Sequence, residues 1–396
     1  MSETVTLNRP AGLISRILPQ VFAGIGAKIG LAWVAILVLV AVFAPFIANS
    51  MPLIASENGK LVFPVFRYLT TEDIIVLVAF FALIIMFKSK LKENLKKLVL
   101  IFIAMIVGVS ILSTQLVTKQ ENIVYSDFRA KVEDGTYGWS VMPPIPYAPQ
   151  DYLRDVRSLP LEAPLADKAH RHWMGTEENG GDVLSRMIHA SRIALGIGFL
   201  ATGIAIFIGI ILGGLMGYFS GIVDILGMRL VEIFESIPTL FLLLTFVAFF
   251  GRSIYIMMII IGLTSWSGYA RYIRAEFLRL RKMDFVQSTI ASGLPLNSIL
   301  FRHMLPNGIA PLLVGMSFGV ASAILAEATL SFLGLGLVDA PSWGQMLNQA
   351  VQSSTFNWWM AVFPGGAIFM TVFAYNLIGE ALRDAIDPQL AKNVSG

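Results

Sequence analysis

Long stretches of apolar residues dominate the chain, and eight of them approach the length that crosses a bilayer. A transmembrane helix needs about 20 consecutive, mostly apolar residues. The eight stretches lie at residues 28–48, 71–88, 97–115, 192–217, 229–251, 253–270, 307–330 and 361–380. The pattern therefore predicts an all-α membrane protein with about eight transmembrane helices.

The second and third stretches are the weakest of the eight. Their apolar cores, residues 74–87 and 98–112, are short and span only if flanking residues contribute. The alternative is a re-entrant or surface hairpin. In the fifth stretch, Pro238 predicts a kink, because proline removes a helical hydrogen bond.

Composition supports the membrane interpretation and excludes several kinds of chemistry. Apolar residues make up 56% of the chain, charged residues only 14%, and the mean hydropathy is +0.72. Soluble domains carry about 25% charged residues. The absence of cysteine excludes disulfides and thiol chemistry. A net charge of +3 gives no reason to expect nucleic acid as a partner.

Basic residues in short loops predict the orientation, because such loops stay on the cytoplasmic side. The loop at 88–97 contains five lysines, and the segment 271–282 is rich in arginine, whereas 331–360 contains neither residue. If eight helices alternate, both basic loops share one side. Both termini are then cytoplasmic. The first apolar run is long enough to be a retained helix and not a cleaved signal peptide.

These features divide the chain into five expected regions. The segment between the third and fourth stretches is too polar to span, contains a proline-rich run at 141–149, and is expected to form a small external lobe. The predicted order begins with a cytoplasmic N-terminal segment (1–27) and a first helix with an inserted hairpin (28–117). The external lobe (118–191), the transmembrane domain (192–384) and a cytoplasmic tail (385–396) follow.

The loop before the seventh stretch has the pattern of a helix–turn–helix elbow. Asp284 and Gln287 have the spacing of a capping box, which predicts a short helix from Asp284. Gly293 is expected to end that helix, because glycine adopts positive φ without steric cost. Pro295 favours the start of a second helix, and Pro306 opens the next span. The small side chains of the first helix predict a smooth face suited to a groove in another protein.

The elbow resembles the coupling loop, or EAA loop, of binding-protein-dependent ABC permeases. The matching positions are Gly293, Leu305, Pro306 and Asn307, whereas the Glu-Ala-Ala triplet is replaced by Gln287, Ser288 and Thr289, and His303 stands where the family has an apolar residue. The resemblance implies that the loop 271–306 docks on a cytoplasmic ATPase. The residues expected to carry that contact are Asp284, Phe285, Gln287, Ser288, Thr289, Ala291, Gly293, Leu305 and Pro306.

Three further segments resemble the dipeptide, oligopeptide and nickel branch of that family. They lie at 174–196, 327–347 and 363–390, while 52–66 and 180–182 are most similar to the microcin C and oligopeptide subgroup. The resemblance implies a type I ABC importer-like transmembrane domain in the inner membrane. It also implies a homologous second permease subunit, separate ATP-binding subunits and an external substrate-binding protein. The implied substrate is a peptide or a similar small solute, with nickel and antibiotic conjugates as alternatives.

Several charged residues have two interpretations. Glu327 lies within the seventh stretch, where it either lines a passage or bonds to neighbouring helices. Arg229, Glu232 and Glu235 either form ion pairs on a helix surface or gate the passage. His170 and His172 are expected to be polar surface residues of the lobe, and no ligand cluster supports a metal site.

Glycines at small-xxx-small spacing recur in the fourth stretch, at Gly209, Gly213 and Gly217. They favour close helix packing, either within the chain or against a partner subunit. The chain has no phosphate-binding Gly-x-x-x-x-Gly-Lys-Ser/Thr motif and no catalytic constellation. We therefore expect a non-enzymatic transport subunit that needs no cofactor and takes its energy from another protein.

Two other functions are compatible with a polytopic membrane chain. An ATP-independent secondary transporter or channel would be expected to show inverted repeats or several charges near the bilayer midplane. Neither is evident in this sequence. A membrane scaffold protein would have no need for the elbow.

Overall fold

The computed structural model describes residues 19–88, 101–155 with gaps, 160–166, 171–337, 340–353 and 355–386; the gaps in the second range are 103, 110 and 112–122. The N-terminal residues 1–18, the basic run at 89–97, His170, the tail from 387 and much of the expected span at 97–115 lie outside the described residues.

The described residues form two compact units. The first unit comprises those within Met1–Ala35, Gly196–Leu330 and Ala367–Gly396. The second comprises those within Ile36–Leu195 and Ser331–Gly366.

Helices account for most of the described chain. In chain order they are α1 Ile25–Ile47, α2 Pro64–Arg67, α3 Thr71–Lys88, α4 Tyr125–Glu133, α5 Val183–Phe219, α6 Gly221–Ser236, α7 Thr239–Phe250, α8 Ile254–Thr264, α9 Trp266–Leu280, α10 Asp284–Ala291, α11 Leu296–Ser298, α12 Leu305–Gly308, α13 Ala310–Leu330, α14 Trp343–Gln352 and α15 Trp358–Ile386. Two π-helices, Ile299–Met304 and Ser331–Leu335, follow α11 and α13. Residues 101–102, 104–109 and 111 are also helical.

Among the described residues, four helices are long and apolar enough to cross a membrane. These are α1, α5, α13 with its π-helical extension, and α15; the bent pair of α6 and α7 would make a fifth. The count differs from the eight stretches for physical reasons. Helix α3 is 18 residues long and includes Glu72, Asp73 and Lys88, and α8 has only 11 residues.

Two expected spans are broken. The predicted kink at Pro238 is a full break between α6 and α7, with an 83° bend. The stretch expected at 253–270 ends at Thr264, and α9 begins after Ser265. Helix α9 is amphipathic, and its buried residues lie on one face: Trp266, Tyr269, Ala270, Ile273, Phe277 and Leu280. The apolar start of this amphipathic helix extended the predicted span beyond its real end.

The second unit contains a small antiparallel sheet, which departs locally from an all-α fold. Its strands are β1 Ile54–Glu57, β2 Lys60–Val62 and β3 Tyr137–Val141, in the order β2-β1-β3. Ala55 pairs with Val62 on one side and with Ser140 on the other. The chain therefore leaves this sheet before α3 and returns to it after α4. Pairing of β3 with β1 brings the two ends of the segment that contains the inserted helix together.

Helix α3 is held at its N-terminus by a capping box and an ion pair. The Thr70 backbone N–H donates to Asp73 Oδ2 at 2.8 Å, and the Asp73 N–H donates to Thr70 Oγ1 at 3.2 Å. Asp73 Oδ1 also accepts a hydrogen bond from Arg192 of α5. Both side chains are largely buried, with 8% and 19% of their surface exposed. The inserted helix thus supplies the counter-charge for an arginine of a long apolar helix.

We predict that Asp73→Asn destabilises the protein by about 3 kcal/mol, because loss of one partner leaves a largely buried charge uncompensated. The measurement is thermal unfolding in detergent. We expect the double variant Asp73→Asn with Arg192→Gln to lose less stability than the sum of the losses in the two single variants. Additive losses would show that the two side chains are not coupled.

Candidate functional site: the elbow before α13

The elbow begins with α9, which packs closely on the glycines of α5. A Cβ added at Gly217 would lie 2.6 Å from Phe277 Cβ and 2.7 Å from the Arg274 carbonyl oxygen. Gly209 and Gly213 contact Tyr269 and Ala270 in the same way. Of the two interpretations of these glycines, the structure shows close packing within the chain.

The polar face of α9 is ion-paired to α6. Arg274 forms two hydrogen bonds with Asp224, one of them 2.7 Å from Nη2 to Oδ2. These bonds raise the pKa of Arg274 above its usual value. Arg271 pairs with Glu235. Glu232 instead pairs with Arg229 one turn earlier on α6, at 2.6 Å. Glu232 and Glu235 therefore both lie in ion pairs on partly exposed surfaces.

Helix α10 begins at Asp284, as predicted, but the expected capping box is wrong. Met283 occupies the N-cap position, and no side chain caps the helix. Gln287 turns back instead, and its Nε2 donates to the Arg281 carbonyl oxygen at 2.6 Å. The amide therefore ties α10 to the C-terminal end of α9. A glutamate at this position could not donate that hydrogen bond.

The hydroxyl groups of α10 bond to the helix itself. Ser288 Oγ donates to the Asp284 carbonyl at 2.7 Å, and Thr289 Oγ1 donates to the Val286 carbonyl at 2.6 Å. Ser292 Oγ donates to the Ser288 carbonyl at 2.8 Å. These short side chains therefore lie close to the backbone of α10 and leave its surface between them smooth. Its larger apolar groups are partly exposed, as for Phe285 at 40%.

Gly293 ends α10 in a Schellman motif. Its φ is +68°, its N–H donates to the Ile290 carbonyl, and the Leu294 N–H donates to the Thr289 carbonyl. An added Cβ at Gly293 would meet nothing within 4 Å. The need for glycine is therefore conformational, as the sequence predicted, and does not come from crowding.

The chain then returns toward α13 through a helix with a π-helical middle. Pro295 caps α11, and the ladder widens at Ile299–Met304, where the Leu305 N–H donates to the Leu300 carbonyl. Pro306 follows at once and has no N–H to donate. The change of register turns three side chains inward: Ile299, Leu300 and Met304.

One buried cluster joins all parts of the elbow. Val286 of α10 is fully buried, and it packs with the inner face of α9, the π-helix and α13 through Ile273, Phe277, Leu280, Ile299, Leu300, Met304 and Leu312. Sequence reasoning did not single out Val286. The sequence does not separate Val286 from Phe285 and Ile290, the other large apolar residues of α10, and the packing shows that Val286 is the buried one.

The remaining candidate residues lie away from the exposed face of α10. Glu327 is buried in α13, with 2% of its surface exposed. Leu305 is half-buried and Pro306 exposed in α12. His172, expected at the surface, is buried; its Nδ1 lies 2.9 Å from Asp182 Oδ2, and its ring stacks on Tyr147. Asp182 in turn accepts a hydrogen bond from the Ser185 N–H at the start of α5, so the pair of His172 and Asp182 is bonded to the first turn of that helix.

Comparison with known proteins places these features in a family. Residues 205–392 match the family described as binding-protein-dependent transport system inner membrane component. The oligopeptide transport system permease protein OppC of Haemophilus influenzae is 37% identical over 219 residues, which cover 55% of this chain and 70% of the relative. The dipeptide transport system permease protein DppC of Alkalihalophilus pseudofirmus is 35% identical over 231 residues, covering 58% and 75%.

A solved chain of the MetNI methionine ABC transporter in inward-facing conformations aligns with a TM-score of 0.41 and 15% identity, over 51% of this chain and 96% of that one. The sequence matches cover more than two thirds of both permeases, and the family match at 205–392 includes the whole elbow. The chain belongs to the family of binding-protein-dependent transport system inner membrane components.

Proposed function

We propose that this permease imports peptides and that the exposed face of α10 docks on a separate ATPase subunit. Membership of the family makes the chain a non-enzymatic inner-membrane component that works with ATPase and substrate-binding partners. Two relatives are named as oligopeptide and dipeptide permeases, which supports a peptide substrate. The chain has no nucleotide-binding motif of its own.

The observation that carries the proposal is the combination of an exposed surface and a buried anchor in α10. Asp284, Phe285, Gln287 and Ser288 are exposed, while Val286 is buried in the cluster that includes Leu312 of α13. A force applied to the outer face therefore passes through close packing to a long apolar helix. Packed interfaces shift between discrete arrangements and do not deform continuously, which suits a two-state gate.

The arrangement of polar groups favours docking by shape. Because Gln287, Ser288 and Thr289 bond to carbonyl groups of the chain itself, they demand few new partners from an ATPase groove. The apolar edges of Phe285 and Ile290 are left to fill it. Partly exposed aromatic residues often dominate binding energy at interfaces.

The finer assignments extend the same proposal. A second homologous permease would complete the passage, and an external binding protein would deliver the peptide. The basic residues of 271–282 favour a cytoplasmic elbow, and with it cytoplasmic termini. The ion pair of Glu235 with Arg271 of α9 favours a role in holding α6 in place over a role in gating, whereas Glu232 pairs with Arg229 within α6 itself.

Copurification of the ATPase tests the docking surface. We expect Phe285→Ser to lower the recovered ATPase at least ten-fold, as for an interface hot spot of about 2 kcal/mol. The matched control is Phe301→Ser, because Phe301 is similarly exposed, at 48%, but lies in the π-helix and not in α10. Equal recovery with both variants would contradict docking through α10. ATP-independent uptake by the chain alone would instead support a secondary transporter or channel.

Gly293→Val should uncouple ATP hydrolysis from uptake without preventing membrane insertion. A non-glycine residue in this left-handed conformation costs about 1–2 kcal/mol, and a β-branched residue is especially unfavourable. We expect uptake per ATP hydrolysed to fall about ten-fold in vesicles. Gly293→Asn is the control, because asparagine tolerates positive φ and the site has room for a side chain. Normal coupling in the valine variant would contradict this role of the turn.

Gln287→Glu and Gln287→Met should reduce coupling to a similar extent. Both remove the donor to the Arg281 carbonyl, a loss of about 1 kcal/mol or roughly five-fold in an equilibrium. Uptake per ATP hydrolysed is the measurement. If the glutamate variant works as well as the wild type while the methionine variant does not, charge and not hydrogen-bond donation is what matters at this position.

A further inference from the structure

The small sheet of the second unit exposes an apolar face. Side chains alternate between the two faces of a strand. Ala55 pairs with Val62 and with Ser140, so these three share one face, on which Ala55 is fully buried. The opposite face, here the apolar sheet face, carries Ile54, Ser56, Leu61, Trp139 and Val141. None of these side chains is charged, yet Leu61 is 62% and Trp139 50% exposed.

The apolar surface continues from the sheet to the end of α1. Phe63 follows β2, and its ring contacts that of Phe66 in α2, with centroids 6.2 Å apart. Phe66 is 55% exposed and lies 5.1 Å from the ring of Phe46, the next-to-last residue of α1. At about 1.5 Å per residue, the 23 residues of α1 span about 34 Å, close to the hydrocarbon thickness of about 30 Å. Phe66 therefore lies near the edge of the hydrocarbon.

Backbone hydrogen bonds fix the sheet to the same end of α1. The Ile145 N–H donates to the Ile47 carbonyl at 3.0 Å, and the Asn49 N–H donates to the Ile145 carbonyl at 3.1 Å. The Leu53 N–H donates to the carbonyl of Val141 in β3 at 2.8 Å. Only a few residues separate the last turn of α1 from β1, and both ends of that connection are hydrogen-bonded. The sheet is consequently held beside the membrane boundary.

The open edges of the sheet limit how deep it lies. Strands β2 and β3 are its edges, and open sheet edges do not occur in contact with the hydrocarbon, where backbone groups find no partners. The headgroup region offers such partners, and tryptophan is enriched at that level. The other side of the sheet is polar: Glu57 pairs with Lys60 across the strands and accepts from Lys131 Nζ at 2.9 Å. This asymmetry matches a boundary between lipid and water.

We propose that the apolar sheet face, with Phe63 and Phe66, lies in the headgroup region of the leaflet that the C-terminal end of α1 reaches, and that it contacts lipid there. Exposed apolar patches mark contacts with another protein or with a membrane. The contact between Phe66 and Phe46 favours the membrane, because it joins the patch directly to the end of a spanning helix. Lipid contact holds the lobe at a fixed height, whatever solute the importer carries.

Labelling single cysteines tests the proposal, because the chain has no cysteine of its own. The labelled chain is assembled with partner subunits from which cysteine has been removed, in vesicles of phosphatidylethanolamine and phosphatidylglycerol. An environment-sensitive fluorophore is placed on Leu61→Cys or Trp139→Cys, and some lipids carry a nitroxide quencher close to the headgroup. The matched control is Lys60→Cys, an exposed neighbour of Leu61 that points to the opposite face. We expect quenching at 61 and 139 to exceed that at 60 about three-fold, as for residues in the headgroup layer.

A charge on the apolar sheet face gives an independent test. With the label at 139, we expect Leu61→Asp to lower the quenching about two-fold, because a carboxylate resists transfer toward the hydrocarbon. Lys60→Asp is expected to leave the quenching unchanged. Equal quenching at 60, 61 and 139 would overturn the lipid contact. So would a label at 61 that lipid does not quench but whose emission shifts to the blue when the binding protein is added, since the face would then be a protein-docking surface.

Discussion

The packing of Val286 into the apolar face of α9 is the interaction on which the elbow depends. Helix α10 has only eight residues, and isolated helices of that length are not stable in water. Its position is fixed by this buried side chain, by the Gln287 amide at one end and by the Gly293 turn at the other. These three contacts are spaced along the helix. Together they hold α10 against α9 while its outer face stays exposed.

The sequence predicted the parts of this arrangement that are determined locally. Gly293 was identified because a chain that must reverse after a short helix needs a residue with positive φ, and that requirement is visible in the sequence. Long apolar stretches likewise predicted α1, α5, α13 and α15. The position of α10 was also correct, although the capping box from which its start was predicted does not form; its end at Gly293 follows from the predicted turn.

Predictions that depended on the choice of hydrogen-bond partner were less successful. Gln287 has the right spacing for a capping box, but the Arg281 carbonyl at the end of α9 competes for its amide. The true capping box lies at Thr70 and Asp73, a pair that the sequence analysis did not consider. His172 was expected at the surface because it falls in the predicted external lobe, yet it is buried against Asp182 and Tyr147. Gln287 and Thr70 found partners close by in the sequence, whereas the burial of His172 depends on Tyr147, which the fold brings to it.

Helix breaks show the same division between local and tertiary causes. Pro238 was predicted to kink its helix, because proline removes a helical hydrogen bond, and the helix breaks there completely, whereas Pro45 and Pro364 lie inside continuous helices. Ser265 carries no such signal. The break there depends on the helix that follows. Helix α9 packs its buried face against α5 and α13, so its direction is set by those contacts and not by the axis of α8. An apolar helix that is followed directly by an amphipathic one reads as a single span in a hydropathy profile.

Helix α9 also relates the elbow to a cavity of about 270 Å³ among α5, α8, α9 and α13. The N-terminal turn of α9 borders the cavity, and its C-terminal half carries Phe277 and Leu280 in the cluster with Val286. At 1.5 Å per residue its 15 residues span about 22 Å. On α10 the side-chain donors of Gln287, Ser288 and Thr289 are satisfied by the chain itself, so its outer face offers shape and apolar surface to another protein. If ligands at the two ends of α9 both bias its position, the free energy of coupling between them is reciprocal, and each changes the affinity of the other by the same factor.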